Sequence, residues 1–422
     1  MLRVVVTLVL GAALVVGAGP PARAQEEATL TLEEALAEAL ARNPALVVER
    51  NTVGIAAGTL RQARIYPFNP ELEAEGGAGR AKGIEEDERR GTNVQGVGLS
   101  QTIWLRGQRG IRIRSAQAGL RRAEAIVRDA ERTVIGDVPR AFADLLVAQE
   151  RVALAREVVA LATEVADVAR KQFEAGAVPE LDAFRAEVEL DKARNRLVAE
   201  ERNRRTAERE LALLLGRPAE LTLRAAAPVL LPIPPGDVAA LQQAAVGQRP
   251  DLAAAREAVR TAAAELDLVR AERFFPELRV GVKYEESREF DSTGRAGLLT
   301  LSVPLPLINR LQGDIDRAAA ELRQQEAAVD FVRRRIEKEV ATALQQVVAS
   351  RQVVDAYQDR ILRDQERNFR LLREGYDLGE FKITDVLVGQ REFIDAREAY
   401  LEAVSALNGA VSDLYRALGT RP

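Results

Sequence analysis

The chain has 422 residues and a formal net charge of −4, with no cysteine, no histidine and a single methionine, Met1. That composition excludes disulfides, Cys–His and Ser–His–Asp nucleophile systems, and zinc sites built from histidine or cysteine. The acidic balance also argues against broad nucleic-acid binding, which runs on phosphate neutralisation by cations.

The first stretch, "MLRVVVTLVLGAALVVGAGPPARAQ", reads as a secretory signal over residues 1–24. Arg3 supplies a positive start, Val4 to Ala18 is apolar, and Ala22-Arg23-Ala24 is a small-residue cleavage site before Gln25. The alternative, a membrane anchor, needs a longer apolar run than the Pro20-Pro21 pair allows. No cysteine follows the cut, so no N-terminal lipid anchor is expected. Cleavage removes two of the 60 basic residues, leaving 58 against 64 acids, a net of −6. No later run has the roughly 20 apolar residues of a membrane helix, so contact with a membrane would fall to strands.

The mature chain is a duplication. "ARNPAL" (41–46) matches "GQRPDL" (247–252), and "FNPEL" (68–72) matches "FFPEL" (274–278), both at an offset of 206. "FEAGAVPELDAF" (173–184) matches "YDLGEFKITDVL" (376–387) at 203, as does "LLLG" (213–216) with "RALG" (416–419). The repeats span 25–216 and 237–422, joined by 217–236, which holds five of the 17 prolines and reads as an extended connector. Each repeat begins with short helices. In the first, Thr31 is the expected N-cap and Glu34 its capping-box partner, and Pro44 opens the second helix.

Next come two strand-like segments per repeat, at about 70–104 and 277–305. Alternation puts Leu72 on one face of the first pair and Val280, Val282, Leu299 and Leu301 on one face of the second. Read alone, these are half-buried strands of a soluble sheet. Read with the export signal, they are lipid-facing positions of a membrane barrel. The charged segments 80–91 and 285–295 are expected as exterior loops. Four strands cannot close a barrel, and open edges are not tolerated in lipid, so the chain must oligomerise. Two copies would give eight strands and three would give twelve.

Long helical stretches follow, at about 110–172 and 313–374, with returns at about 180–215 and 382–418. Pro139 predicts a kink or break in the first rod, where the second has Thr342. The turns centre on Gly176 and Gly379, each with an acid six residues later, Asp182 and Asp385. On spacing alone these acids are helix caps. No pairing of carboxylates marks a catalytic site. "EEDE" (85–88) and "EFDS" (289–292) fall in the charged loops, where solvated charge is the plain reading.

Taken together, "LTLEEALAEALARNPAL" (30–46), the paired "PEL" starts, "VPLPLINRLQGDI" (303–315) and the two glycine turns resemble the TolC-like family of outer-membrane efflux proteins. The wording of "PLPLINRLQG" is most similar to its heavy-metal branch, which includes CzcC and CusC. The resemblance implies a mainly α fold with a membrane β-barrel portion. Each chain of a homotrimer would give four strands to a twelve-stranded barrel and long helices to a periplasmic α-barrel. It implies a bacterial outer-membrane duct, not an enzyme, with no cofactor or metal site. A periplasmic adaptor and a resistance-nodulation-division pump would feed it. Metal cations are the first expectation for cargo, organic toxins or drugs the second, protein secretion the third. A periplasmic helical-hairpin adaptor is the alternative outside the duct class. The resemblance also implies a tip gate: Tyr376 bonding Asp182, Asp385 ringing the pore, and Val388 where a second acidic ring stands in some members.

Overall fold

The computed structural model describes residues 28–82, 89–226, 230–289, 292–378 and 380–421. The signal segment and Gly379 lie outside these. In chain order the elements are β1 (Ala28–Leu30), α1 (Leu32–Arg42), α2 (Pro44–Arg64), β2 (Glu71–Lys82), β3 (Arg89–Trp104), α3 (Gln108–Glu174) and α4 (Glu180–Leu215). The connector gives β4 (Leu223–Ala225), and the second repeat gives α5 (Val238–Gln248), α6 (Pro250–Glu272), β5 (Glu277–Glu289), β6 (Ser292–Ser302) and α7 (Gln312–Ala356). A π-helical segment (Tyr357–Ile361) then leads into α8 (Leu362–Asp377), and α9 (Ile383–Leu418) returns.

Local chemistry fixes the joints. Thr31 and Glu34 form the capping box that opens α1. Asn43 caps α2 through Ala45 N–H (2.9 Å) and Leu46 N–H (3.3 Å), and its amide donates to Leu214 O (2.9 Å). In the second repeat Arg249 takes the same place and donates to Ala417 O (3.2 Å). Its guanidinium is buried, and ion pairs to Asp251 and Glu339 satisfy its charge. The connector is tied down as well. Arg217 forks onto Glu38 (2.9 and 2.5 Å), and β4 pairs in parallel with β1. That short parallel ladder carries too few residues to show in a sequence pattern.

Near the sheet the helices lie side by side in the order α2, α3, α6, α7; beyond it the order is α4, α3, α9, then α7 and α8. At 67 residues α3 is a rod of about 100 Å. Alanines at 162, 166, 169, 186 and 193 floor the contacts among α3, α4 and α9, letting the helices approach closely. A second core of Leu36, Leu46, Phe142, Leu145, Leu211 and Leu215 locks the belt of short helices onto α3 and α4.

Of the kink or break expected at Pro139, the break does not occur: α3 runs through it as one helix. The proline costs one backbone bond, while Val134, Ile135, Val138 and Phe142 around it are buried and hold the rod. The interruption lies in the other repeat, at the π-helical segment.

The four long strands form one antiparallel sheet in the order β2-β3-β5-β6. Register aligns Leu72, Leu99, Val282 and Leu299 in one cross-strand row, and pairs Val280 with Leu301. Leu72 is 75% exposed and Leu299 69%. The row is apolar and lies open on the surface of the chain. The strands also run further than expected, since most of 285–295 is strand rather than loop. The charges there pair at Glu286, which Arg288 reaches along β5 and Arg295 reaches across from β6, both at 3.3 Å.

Candidate functional site

The opposite face of the sheet is polar. Glu71, Glu73 and Glu75 on β2 share it with Arg279, Lys283 and Glu285 on β5. Between them β3 offers Gly96 and Gly98, over which the Lys283 side chain lies. Without side chains in the way, Lys283 crosses a whole strand to Glu75 (2.5 Å) while also meeting Glu285 (3.1 Å). Arg279 reaches Glu71 at 3.1 Å in the same fashion. Four carboxylates against two cations leave this wall acidic. Among the described residues no group of three or more potential ligands is arranged to hold a metal ion.

At the far end of the rods, α3 turns into α4 through Gly176, whose φ of 73° favours glycine. Gly176 N–H donates to Phe173 O and Ala177 N–H to Gln172 O, both at 2.8 Å. The second turn repeats the longer of these bonds, Glu380 N–H to Gly375 O, also at 2.8 Å. Here the Phe381 ring lies where a side chain on Gly375 would sit. Asp385 caps α9, accepting from Lys382 N–H at 3.0 Å. Asp182 stands in the first turn of α4, 3.6 Å from Arg185.

Tyr376, expected to bond Asp182, has a described partner on the other helix of the first hairpin. Tyr376 donates to Gln172 Oε1 at 2.6 Å, on the outgoing helix rather than the returning one. The consequence for the two hairpins is the same, because Gln172 belongs to the first and Tyr376 to the second. Other links run up the same seam. Arg373 pairs with Glu164, Arg391 with Glu189 (3.5 Å), Arg397 with Glu157 (2.6 Å), and Arg196 with Glu398. The Glu398 carboxyl is held above its usual range by burial, with Arg196 acting against that shift. Sequence reasoning missed these residues. Each is an ordinary charge on a long helix, and only the mutual register of two hairpins brings the partners together.

Two segments of the chain, 35–217 and 241–420, match the model of the outer membrane efflux protein family. The chain belongs to that family. The paired match falls on the two repeats, and the family's members are passive channels of the outer membrane rather than enzymes. This efflux channel is 28% identical over 399 residues to the cobalt-zinc-cadmium resistance protein CzcC of Cupriavidus metallidurans, covering 92% of this chain and 90% of that one. It is 26% identical over 395 residues to the pyoverdine export outer membrane protein OpmQ of Pseudomonas aeruginosa, covering 87% and 82%. In fold it is similar to CusC, with a TM-score of 0.73 at 21% identity over 92% of both chains. The outer-membrane channel OprN gives 0.75 at 20% identity, covering 92% and 89%.

Proposed function

We propose that three copies of this efflux channel close into one gated duct, the outer-membrane member of a tripartite system that exports divalent metal cations. The observation that carries the duct is the pair of unpartnered edges on each chain. One edge is β2 with α2 and α4, where Val48, Ile55 (72% exposed) and Val198 lie bare; the other is β6 with α7 and α8, with Phe331 and Val348 bare. Edges that differ from each other support a head-to-tail contact, which closes into a ring. Four strands with open edges require that closure in lipid, and Leu72, Val280, Val282, Leu299 and Leu301 then face the bilayer. Three copies give the twelve strands of a TolC-like barrel.

Gly176, Asp182, Tyr376 and Asp385 form the periplasmic mouth, where Asp385 of each copy adds negative charge while capping its own helix. The polar seam between the hairpins is the latch that keeps this mouth narrow. Exposed apolar residues there, Leu181, Phe184 and Leu378 (77% exposed), suit docking by a periplasmic adaptor that hands over substrate from an inner-membrane pump. The likeness to CzcC and the acidic wall of the sheet support metal cations as cargo, since acidic rings favour cations. The likeness to OpmQ favours an organic cargo as the second reading.

Two experiments separate these claims. Replacing Tyr376 by Phe together with Arg373, Arg391 and Arg397 by Ala is expected to raise single-channel conductance severalfold in planar bilayers. Wild-type conductance in that variant removes the latch. Deleting the gene should sensitise cells to cobalt, zinc and cadmium. Unchanged metal tolerance with lost tolerance to dyes and antibiotics replaces the metal cargo by an organic one.

A further inference from the structure

The inward face of α7 follows an alternating spacing of three and four residues, the seam of a coiled coil. Ile336, Val340, Ala343, Val347, Ser350 and Val354 are all buried at that spacing. Continued unbroken, it would turn Asp364, Asn368, Leu371 and Gly375 inward on α8. The first three are exposed, and Gly375 is buried under the Phe381 ring of the turn. Instead Phe369 is buried and Gln365, Leu372 and Tyr376 are half-buried, each one residue later. The one-residue slip falls on the π-helical segment Tyr357–Ile361, the kind of turn that absorbs a single extra residue. The first repeat has no such segment in α3.

One residue is about 100° of helix rotation. The extra residue therefore decides which face α8 presents to α9 and to the first hairpin. With the π turn formed, Phe369 stacks on Phe393 (centroids 5.7 Å apart), Leu372 sits on Gly389, and Tyr376 reaches Gln172. With the same residues in plain α-helix, all three contacts rotate away. The formed state is also not fully satisfied. Gln365 Oε1 on α8 and Gln390 Oε1 on α9 are buried without a hydrogen-bond partner among the described residues, and a buried acceptor without a donor weakens the arrangement that holds it.

We propose that the π turn is the pivot of the mouth. Formed, it holds α8 in the latched face; dissolving into α-helix, it turns α8 by about 100° within its own hairpin and withdraws Tyr376 from Gln172. The pivot rests on the tip acting as a gate, but it places the motion between α8 and α9 rather than between rigid hairpins.

The test uses the full-length trimer in planar bilayers, in the unlatched variant described above, with Leu372→Cys and Gly389→Cys added. The chain has no other cysteine, and a Cβ at Gly389 would meet the Leu372 side chain, so the two positions face each other across α8 and α9. A disulfide between them joins α8 to α9 and leaves the two hairpins free to separate. Oxidation is expected to abolish the severalfold rise in conductance, and reduction to restore it. Equal conductance in both states overturns the pivot and leaves the gate standing. A reduced protein that conducts no more than wild type removes the gate, and the pivot with it. A second variant avoids the disulfide. Deleting Asp359 makes the spacing unbroken with the latched face inward, so the unlatched background should lose its rise in conductance. A deletion protein that conducts like its unlatched parent contradicts the pivot.

Discussion

Asp144 lies between α3 and α9, accepting from Ser405 Oγ at 3.3 Å. Burial pushes its carboxyl above the ordinary carboxylate range, against the pull of Arg140 and Arg151 and with a smaller push from Glu210. The folded chain then holds this proton more tightly than the unfolded chain does, so the group favours folding in acid. Its penalty grows as pH rises through the unfolded and then the folded pKa, and is complete at neutral pH. Asp144→Asn keeps an acceptor for Ser405 and removes the charge. It should raise the thermal midpoint at pH 7, with the gain shrinking as pH falls through the carboxylate range. A gain independent of pH would show that the effect is packing rather than charge.

The long rods, their glycine turns and the strand pairs were legible because each is written in a period or a breaker. Alternation marked Leu72, Val282 and Leu299, and Gly176 marked a reversal. Where the outcome went beyond a local rule, tertiary packing decided it: α3 continues through Pro139 inside a buried collar, strand covers 285–289 and 292–295, and the register of the seam sets Tyr376 against Gln172. The π turn was hidden for a different reason, since a one-residue slip shows only once the inward face is known on both sides of it. At the entry to α7 the repeats differ in a way that can be measured. Gly107 (φ 71°) and Leu311 (φ 57°) hold the same left-handed position, each followed by a glutamine that accepts from the N–H two residues before it, Arg106 (2.8 Å) and Arg310 (3.0 Å). A side chain there costs about 1 kcal/mol. Leu311→Gly should therefore raise the thermal midpoint of the protein, and a lowered midpoint would mean that the leucine's contacts outweigh the strain.

At the scale of the whole molecule, one chain is an incomplete object. Its sheet ends in two open edges and its helical layer has bare apolar residues on both flanks, and in the proposed ring other copies would bring its acidic wall round into a circle. Duplication explains the economy of the design: each repeat supplies one strand pair and one hairpin, and the copies differ in Phe173 against Tyr376 and in a plain rod against one with a π turn, an asymmetry that the proposed mouth would use. The most direct measurement is the native mass of the complex extracted from outer membranes in mild detergent. The ring predicts a particle of three chains that dissociates to a single chain on heating in denaturing detergent. A stable particle of one chain, with its strand edges unpaired, would contradict it.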